Sequence, residues 1–405
     1  MDMELIAWGY PFFVVLIAAE LAWSRKKGLK LYRFGDTLTD LACGVSSQAL
    51  GVLLAFAAIG AYAWVYQFRF FTLPSQNPLV WVAALLYVDL AFYWWHRISH
   101  EVNFMWATHG VHHQSEDYNL AVALRQEWGG HLTHIPFLLP MALLGFSWKM
   151  LAIHVAISLL YQFWIHTEVI RRMGPFEWVF NAPMHHRVHH AVNPQYLDKN
   201  YGGILVIWDR LFGTFQTEAQ PCVYGTTTPI ASWNSLWANA IVWTHMWQAA
   251  RQTARWQDKL GVWLRSPAWS PADLPAHPPQ PVDRATVVKY DTSVPTRLKV
   301  WLGAQFLTVA VLQALLPKIA DIRLLFWSAL VAIFWGLLNL GGLLEQKRWA
   351  KGSEQVRLLL AAMVAFGVAL AAMHSALQVA LLPATLLFLV LLLTLPFATR
   401  QSAIA

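Results

Sequence analysis

The sequence predicts an all-α, polytopic membrane protein. Of its 405 residues, 57% are hydrophobic and only 13% are charged, whereas a soluble domain usually carries about 25% charged residues. Continuous apolar runs occur at both ends of the chain, and several approach or exceed the length needed to cross a ~30 Å hydrocarbon core. These runs lack the alternation of barrel strands, so the spanning elements are predicted to be helices.

Three spans are predicted in the N-terminal part. The first, from about Leu5 to Trp23, has no basic segment before it and no small-residue cleavage site after it, so it is predicted to be a retained span. The second runs from roughly Thr39 to Tyr66 and the third from about Leu79 to Trp95. The first two spans make residues 1–78 the predicted N-terminal transmembrane region, and the third span opens the region that follows.

The next apolar stretch, residues 131–166, is broken by Pro136, Pro140 and Gly145. Two short helices in a hairpin, not fully crossing the bilayer, fit that pattern. The chain from 167 to 297 is mixed and polar, with a Pro-rich segment around 266–281 that is typical of a surface linker. Four further apolar runs follow, at about 298–316, 324–344, 358–374 and 376–398.

These changes of composition divide the chain into four predicted regions. The N-terminal helices are followed by a catalytic region with hairpin and cap at 79–217. A cytoplasmic extension with the Pro-rich linker covers 218–297, and a four-helix transmembrane region covers 298–405.

Charge predicts the topology of these spans. Basic residues are concentrated after the first span, and basic loops favour the cytoplasmic side. The residues are Arg25, Lys26, Lys27, Lys30 and Arg33. If that loop is cytoplasmic, parity puts the end of the third span and residues 167–297 in the cytoplasm too. The net charge of +7 lies mostly in loops, which indicates topology and lipid contact, not nucleic-acid binding. The cysteines, Cys43 and Cys222, suggest neither a disulfide framework nor a thiolate site.

Histidines form grouped clusters at the predicted cytoplasmic face. Residues three and four apart share a helix face, and three sets have this spacing. They are His96 and His100; His109, His112 and His113; and His186, His189 and His190. Eight imidazoles exceed what one ion needs, so the sequence predicts a polynuclear metal site at the cytoplasmic surface of the membrane. Imidazole suits zinc, copper, iron and nickel.

Two residues of the third span are predicted to take part in catalysis. Asp89 and Tyr93 lie on the same helical stripe as His96 and His100. A carboxylate within a span is costly and is a functional candidate, and Asp89 could accept the free N–H of a ligand histidine. The alternative is that Asp89 pairs with an arginine at the membrane interface.

Four further histidines lie near these clusters in the sequence, and a fifth lies within the hairpin. His166, at the end of the hairpin, is predicted to join the metal site, and His185 is included although its place is ambiguous. His131 and His134 fit a metal site and an ordinary interfacial position equally well, and His154 is predicted to pack in the hairpin. A charged patch from Glu116 to Glu127 fits either a headgroup-positioning site or a solvated loop.

At these residues the chain resembles the fatty acid hydroxylase superfamily of membrane oxygenases, over roughly residues 80–217. The three histidine boxes named above match the pattern of that superfamily. Fuller segments, among them 112–126 and 162–168, are similar to those of alkylglycerol monooxygenases, which are pterin-dependent enzymes that cleave ether lipids. Gln114 departs from the pattern, because relatives commonly have serine there.

The resemblance implies a membrane diiron oxygenase that hydroxylates a lipid C–H bond with O2. It also implies a helical fold with a cytoplasmic helical cap that carries the dimetal site. It implies two non-haem iron ions held by the box histidines, and an external electron donor such as tetrahydrobiopterin. If the carbon attacked is next to an ether oxygen, the product is a hemiacetal that collapses to an aldehyde. The implied partners are a lipid substrate, O2 and the bilayer, with no nucleic acid.

Two alternatives stay open from the sequence. Another histidine-box enzyme, a sterol or carotenoid desaturase or hydroxylase, would take electrons from a redox protein. A divalent metal transporter would use the same ligands without chemistry, although transport ligands are expected at the middle of the membrane.

Overall fold

A computed structural model describes residues 2–276, 278–371 and 376–399 of the chain. Among these residues the architecture is helical, and the only extended pairings are two isolated bridges, Phe180 with Leu205 and Ala191 with Tyr224. The all-α prediction is confirmed.

Five of the first six helices follow the predicted apolar runs, and the short α4 lies between two of these runs. Their bounds are α1 Asp2–Lys26, α2 Phe34–Tyr66, α3 Pro78–Glu101, α4 Asn103–His109, α5 Gly130–Leu143 and α6 Trp148–Trp164. Helices α5 and α6 form the predicted hairpin. Its turn needs Gly145, because the residue has φ +93° and an added Cβ would lie 2.1 Å from the Phe71 carbonyl oxygen. Ser147 then caps α6 by accepting a hydrogen bond from the Met150 amide at 3.3 Å.

Shorter helices fill the polar middle of the chain, and long helices return near its end. The middle helices are α7 Pro183–His189, α8 Ile207–Phe212, α9 Ser235–Gln252 and α10 Trp256–Leu264. The last four are α11 Thr296–Leu315, α12 Arg323–Leu344, α13 Ala350–Ala371 and α14 Ala376–Ala398.

Five helical segments of the described chain are long and apolar enough to cross a membrane. They are Phe34–Leu54, Pro78–Glu101, Thr296–Ile319, Arg323–Leu344 and Ala350–Leu370. The integral membrane prediction is confirmed by these segments. Helix α1 covers the predicted first span but is not among the five, and the described side chains of α14 contribute a shorter apolar helix, Pro383–Ala398.

The described chain divides into two compact units. Unit 1 comprises residues 1–33, 53–230 and 239–289, and unit 2 comprises 34–52, 231–238 and 290–405. The main core of unit 1 packs α3 against the α5–α6 hairpin and the second half of α2, around Val88, Met141 and Met150. Tyr62 of α2 donates a hydrogen bond to the Phe146 carbonyl at 2.9 Å, which ties α2 to the hairpin turn.

Unit 2 is built on α11 to α14. Its core includes Leu302, Ile333, Leu337, Leu358 and Leu395, all nearly inaccessible. A polar network lies within it: Arg357 pairs with Glu354 at 2.7 Å, and Asn339 donates to Glu354 at 2.8 Å. Polar groups buried between membrane helices are stabilised by pairing of this kind.

Candidate metal centre

The predicted metal-binding histidines of unit 1 are brought together at the ends of four helices. The last turns of α3 carry His96 and His100, and α4 ends at His109. A 3₁₀ turn over Gly110–Gln114 carries His112 and His113. His166 follows α6, and α7 supplies the last cluster together with His190 at its C-cap. Helix spacing thus orders each box locally, and the packing of unit 1 joins the boxes.

Nine of these histidines fall into two groups in which one ring nitrogen of each residue lies within 4.8 Å of the others. The five-histidine group is His96, His100, His109, His113 and His189. The four-histidine group is His112, His166, His186 and His190. Two groups of convergent imidazoles match the predicted dimetal arrangement.

Hydrogen bonds set which nitrogen of several rings carries the proton. The Nδ1 atom of His112 lies 2.9 Å from the Arg125 carbonyl oxygen, and that of His166 lies 2.7 Å from the Gln162 carbonyl. A carbonyl can only accept a hydrogen bond, so Nδ1 is the donor and Nε2 of a neutral ring is left with a free lone pair. His112 and His166 belong to the four-histidine group, and two rings of the five-histidine group are oriented in the same way.

In that five-histidine group, Nδ1 of His96 lies 2.8 Å from the Tyr201 carbonyl and Nδ1 of His189 lies 3.0 Å from the Lys199 carbonyl. The Nε2 atoms of His96, His100 and His189 are buried without a hydrogen-bond partner among the described residues. Buried polar atoms are normally paired. A metal ion shared by these nitrogens would supply the missing partner.

Contacts between the Nε2 atoms support the same conclusion. His166 Nε2 lies 3.2 Å from His112 Nε2, although both nitrogens carry lone pairs and cannot hydrogen-bond to each other. His186 Nε2 lies 3.0 Å from His166 Nε2 and 3.2 Å from His190 Nε2. Nitrogens bound about 2.0–2.1 Å from one ion lie about 3 Å apart. The residues present therefore fit a bound metal ion.

Burial keeps these imidazoles neutral. Desolvation lowers the pKa of His112 to about 4 and that of His189 to about 3. The pKa values of five further rings also lie well below the usual value. Burial is the larger cause and repulsion from neighbouring histidines the smaller one, for His109, His113, His166, His186 and His190. Neutral rings keep the lone pairs that metal binding requires.

Asp89 and Tyr93 support the centre without touching the rings. Asp89 is fully buried and accepts hydrogen bonds from the amides of Ile204 and Leu205, at 2.7 and 3.0 Å, and from the Trp208 indole at 2.8 Å. Asp89 was expected to accept the N–H of a ligand histidine, but His96 bonds to the Tyr201 carbonyl instead. Nor does Asp89 pair with an arginine of the described chain, which was the alternative, because its carboxylate is occupied by these three donors. The Tyr93 hydroxyl lies 3.0 Å from Thr214 Oγ1.

Both residues therefore fix the segment 201–215 against α3. Asp209 links the two ends of the same segment, because it accepts hydrogen bonds from the amides of Tyr201 and Gly202 at 2.7 and 2.8 Å. This segment carries the Tyr201 carbonyl that orients His96.

The remaining predicted histidines lie apart from the two groups. The His185 ring packs against Phe215 at 5.4 Å between centroids, and the structure brings it to neither group. His134 packs against Trp95 at 4.9 Å, and His131 also lies outside both groups. His154 bonds through Nδ1 to the Met150 carbonyl at 2.7 Å, which confirms its predicted packing role.

The charged patch is not a solvated loop, which was one of the two alternatives. Asp117, Asn119, Arg125 and Glu127 are all buried. Arg125 donates to the Val111 carbonyl at 2.7 Å and to Gln114 Oε1 at 2.9 Å, which braces the turn that carries His112 and His113. Gln114, the position predicted to depart from the family pattern, is thus part of this brace.

The sequence did not indicate the aromatic layer behind the four-histidine group. Tyr118 lies 5.3 Å from the His190 ring and stacks on Tyr224 at 4.8 Å between centroids. Its hydroxyl donates to the Ile165 carbonyl at 3.1 Å, next to His166. Nor did the sequence indicate which backbone carbonyls orient the rings, because any residue type can provide one.

The sequence of this site matches a known family. The family model described as fatty acid hydroxylase matches residues 81–214, a range that includes all nine histidines. Human alkylglycerol monooxygenase is 37% identical over 363 residues, which is 86% of this chain and 80% of the relative. The zebrafish (Danio rerio) alkylglycerol monooxygenase is 35% identical over the same shares of the two chains.

The chain belongs to the fatty acid hydroxylase family. A more distant relative, an ornithine lipid hydroxylase of Rhizobium tropici, is 28% identical over 52% of this chain and 64% of its own length. The comparison with solved structures found no significant match. As a member of this family with membrane-spanning helices, the protein is a membrane lipid hydroxylase or monooxygenase.

Proposed function

We propose that this fatty acid hydroxylase family member is an integral membrane diiron monooxygenase that hydroxylates the ether-linked carbon of an alkylglycerol lipid. The observation that carries the proposal is the pair of buried histidine groups with convergent Nε2 atoms. The reaction is suggested by the relatives named alkylglycerol monooxygenase, which match over 86% of this chain and 80% of their own length.

The proposed ligands of one iron are the five-histidine group and those of the other are the four-histidine group. Imidazole suits iron among other divalent ions, and neither group contains a carboxylate. Bound iron would supply the activation of O2. Hydrolytic two-metal sites usually rely on carboxylates, so the all-nitrogen donor set favours redox chemistry over hydrolysis.

The chain contributes orientation and exclusion of water. Asp89 and Tyr93 are proposed as positioning residues, because they hold the segment whose Tyr201 carbonyl orients His96. Eight of the nine proposed ligand histidines are buried, and His100 is partly buried, so water is largely kept from the reacting groups. The lipid would approach from the bilayer alongside α3, which carries two of the ligands.

The proposed overall reaction consumes one O2 and two electrons from an external donor, tetrahydrobiopterin by resemblance. One oxygen atom is inserted into the C–H bond beside the ether oxygen, and the other leaves as water with two protons. The hemiacetal formed then separates into an aldehyde and the free glycerol hydroxyl. A metal transporter is disfavoured because most of the ligands lie outside the five candidate spans.

Product analysis tests the substrate. Membranes containing the protein are incubated under O2 with alkylglycerol and tetrahydrobiopterin, and in parallel with a sterol and reduced ferredoxin. Fatty aldehyde in the first arm supports the proposal, whereas a hydroxylated or desaturated sterol in the second arm would replace it with the alternative enzyme class. His112→Ala is the inactive control, and His185→Gln, outside both groups, is expected to stay active.

We also propose that both histidine groups face the cytoplasm, on the basis of the basic residues that follow α1. Trp178 lies on the surface of unit 1 with 69% of its area exposed, so Trp178→Cys provides a labelling site. A membrane-impermeant maleimide should label this cysteine in inverted vesicles but not in intact cells. Labelling of intact cells alone would place the centre on the outer side.

A further inference from the structure

A charged cavity lies in unit 1 beside the four-histidine group. Its volume is about 370 Å³, within the range of small-molecule sites. Four arginines and two glutamates line it: Glu168, Arg171, Arg172, Arg187, Glu218 and Arg284. Arg187 and Glu168 follow His186 and His166 by one and two residues. The cavity therefore shares its wall with segments that carry proposed metal ligands.

Two of the four arginines are neutralised within the wall. Arg187 donates to Glu218 Oε2 at 2.8 Å, and Arg284 makes two hydrogen bonds to the carboxylate of Glu168, at 2.7 and 2.8 Å. These pairs leave no net charge. The charge of the cavity is consequently set by the other two arginines.

Arg171 and Arg172 are exposed, and within the part of the chain that the structure describes neither guanidinium has an ion pair or a hydrogen bond. An anion beside them would offset the repulsion between these two neighbouring positive charges. Two free guanidinium groups at one cavity provide up to ten N–H donors and a net charge of about +2.

The backbone that carries this pair is held in place. Arg187 is buried, and its guanidinium donates to the carbonyls of Thr167 and Ile170 at 3.1 and 2.7 Å and to that of Arg171 at 3.4 Å. These hydrogen bonds hold the main chain of residues 167–171 in place, up to the position just before Arg172. Preorganisation lowers the entropic cost of binding a ligand.

We propose that this cavity binds a phosphate group. A phosphate monoester carries about −1.5 to −2 charges near pH 7, which matches the two unpaired arginines. Its tetrahedral oxygens accept bidentate hydrogen bonds from guanidinium, and the cavity has room for the organic group attached to it. The phosphate would belong to a lipid headgroup or to a soluble phosphate ester. This binding site does not depend on the proposed reaction or metal.

Calorimetry with inorganic phosphate tests the site. The full chain is purified in dodecyl maltoside, which carries no phosphate, and is titrated in phosphate-free buffer. The wild type should bind phosphate at one saturable site. Arg171→Gln/Arg172→Gln should bind about tenfold more weakly or worse, because two charge-assisted interactions are lost. Arg171→Lys/Arg172→Lys should be intermediate, since the charge remains without the planar fork.

The matched control is Arg251→Gln/Lys351→Gln, which removes two exposed charges from residues that do not line the cavity and should leave phosphate affinity unchanged. Unchanged metal content and thermal midpoint show that each variant is folded. Equal affinity of the wild type and the Arg171/Arg172 glutamine variant, or no saturable binding to the wild type, overturns the proposal.

Lipid discs then distinguish the two sources of phosphate. The titration is repeated in discs containing phosphatidic acid and in discs with oleate at equal charge. A lipid headgroup is the source if the wild type binds phosphate more weakly in the phosphatidic acid discs than in the oleate discs. The glutamine variant should then show no such difference. Equal affinity in both discs assigns it to a soluble phosphate ester.

Discussion

His112 and His166 face each other with their Nε2 atoms 3.2 Å apart, while the Nδ1 atom of each is bonded to a backbone carbonyl. Because each carbonyl accepts the only ring proton, two lone pairs point at each other inside a buried site. A cation between the rings would remove this repulsion, which makes His166 as strong a candidate ligand as the histidines of the boxes.

His166→Ala is expected to cost about half of the bound metal, because the four-histidine group falls to three ligands and the other group is untouched. Metal per chain is measured by mass spectrometry after purification. His185→Gln serves as the control, since the His185 ring packs against Phe215 instead. Loss of metal from His185→Gln with retention in His166→Ala would reverse the two assignments.

Asp89→Asn is expected to destabilise unit 1 by about 1.5–3 kcal/mol, because an amide cannot accept all three hydrogen bonds that the carboxylate accepts. Trp208→Phe, which removes one of the donors, should cost about 1 kcal/mol. Thermal unfolding in detergent measures both variants. A smaller effect for Asp89→Asn than for Trp208→Phe would contradict the role proposed for the carboxylate.

Glu127 makes stability depend on pH. Desolvation raises the pKa of this buried carboxyl group to about 7, from an unfolded value of about 4.3. The folded protein therefore keeps the proton that the unfolded chain releases, so this contribution to stability is present below about pH 4.3 and is lost as the pH rises through 7.

Glu127→Gln keeps a neutral side chain at every pH, so its stabilising effect relative to the wild type should be larger at pH 8 than at pH 5, by up to about 3 kcal/mol. Midpoints of thermal unfolding at the two pH values measure the difference. An equal effect at pH 5 and pH 8 would show that the carboxyl group does not change its protonation on folding.

Glu354→Gln should destabilise unit 2 by about 3–5 kcal/mol, because it leaves the Arg357 guanidinium buried without its counter-charge. The double variant Glu354→Gln/Arg357→Met should recover much of that loss, since it removes the stranded charge. Unfolding and metal content are measured together. Metal content is expected to remain at the wild-type level in the folded fraction, because the histidine groups belong to unit 1.

The sequence was sufficient for the helices and for the identity of most candidate ligands. Helical periodicity is local, so apolar runs predicted the long helices and the α5–α6 hairpin. The spacing of the histidines likewise placed each box on one short element. Grouped histidines at the end of a membrane span predicted a dimetal site, and the structure places nine of them in two groups.

Only the tertiary structure decided how the boxes combine. His112 and His113 are neighbours in the chain but belong to different groups, as do His189 and His190. Successive side chains on a helical turn point about 100–120° apart, so adjacent histidines cannot converge on one ion. Each of these two boxes contributes to both groups.

The same distinction applies to the residues around the metal centre. The stripe of Asp89, Tyr93 and His96 on α3 was correct as a helix face, yet Asp89 binds the segment 204–208 and His96 is oriented by the Tyr201 carbonyl. Those partners lie more than a hundred residues away in the chain. Helix spacing determines which side chains share a face, but only the folded packing determines what that face meets.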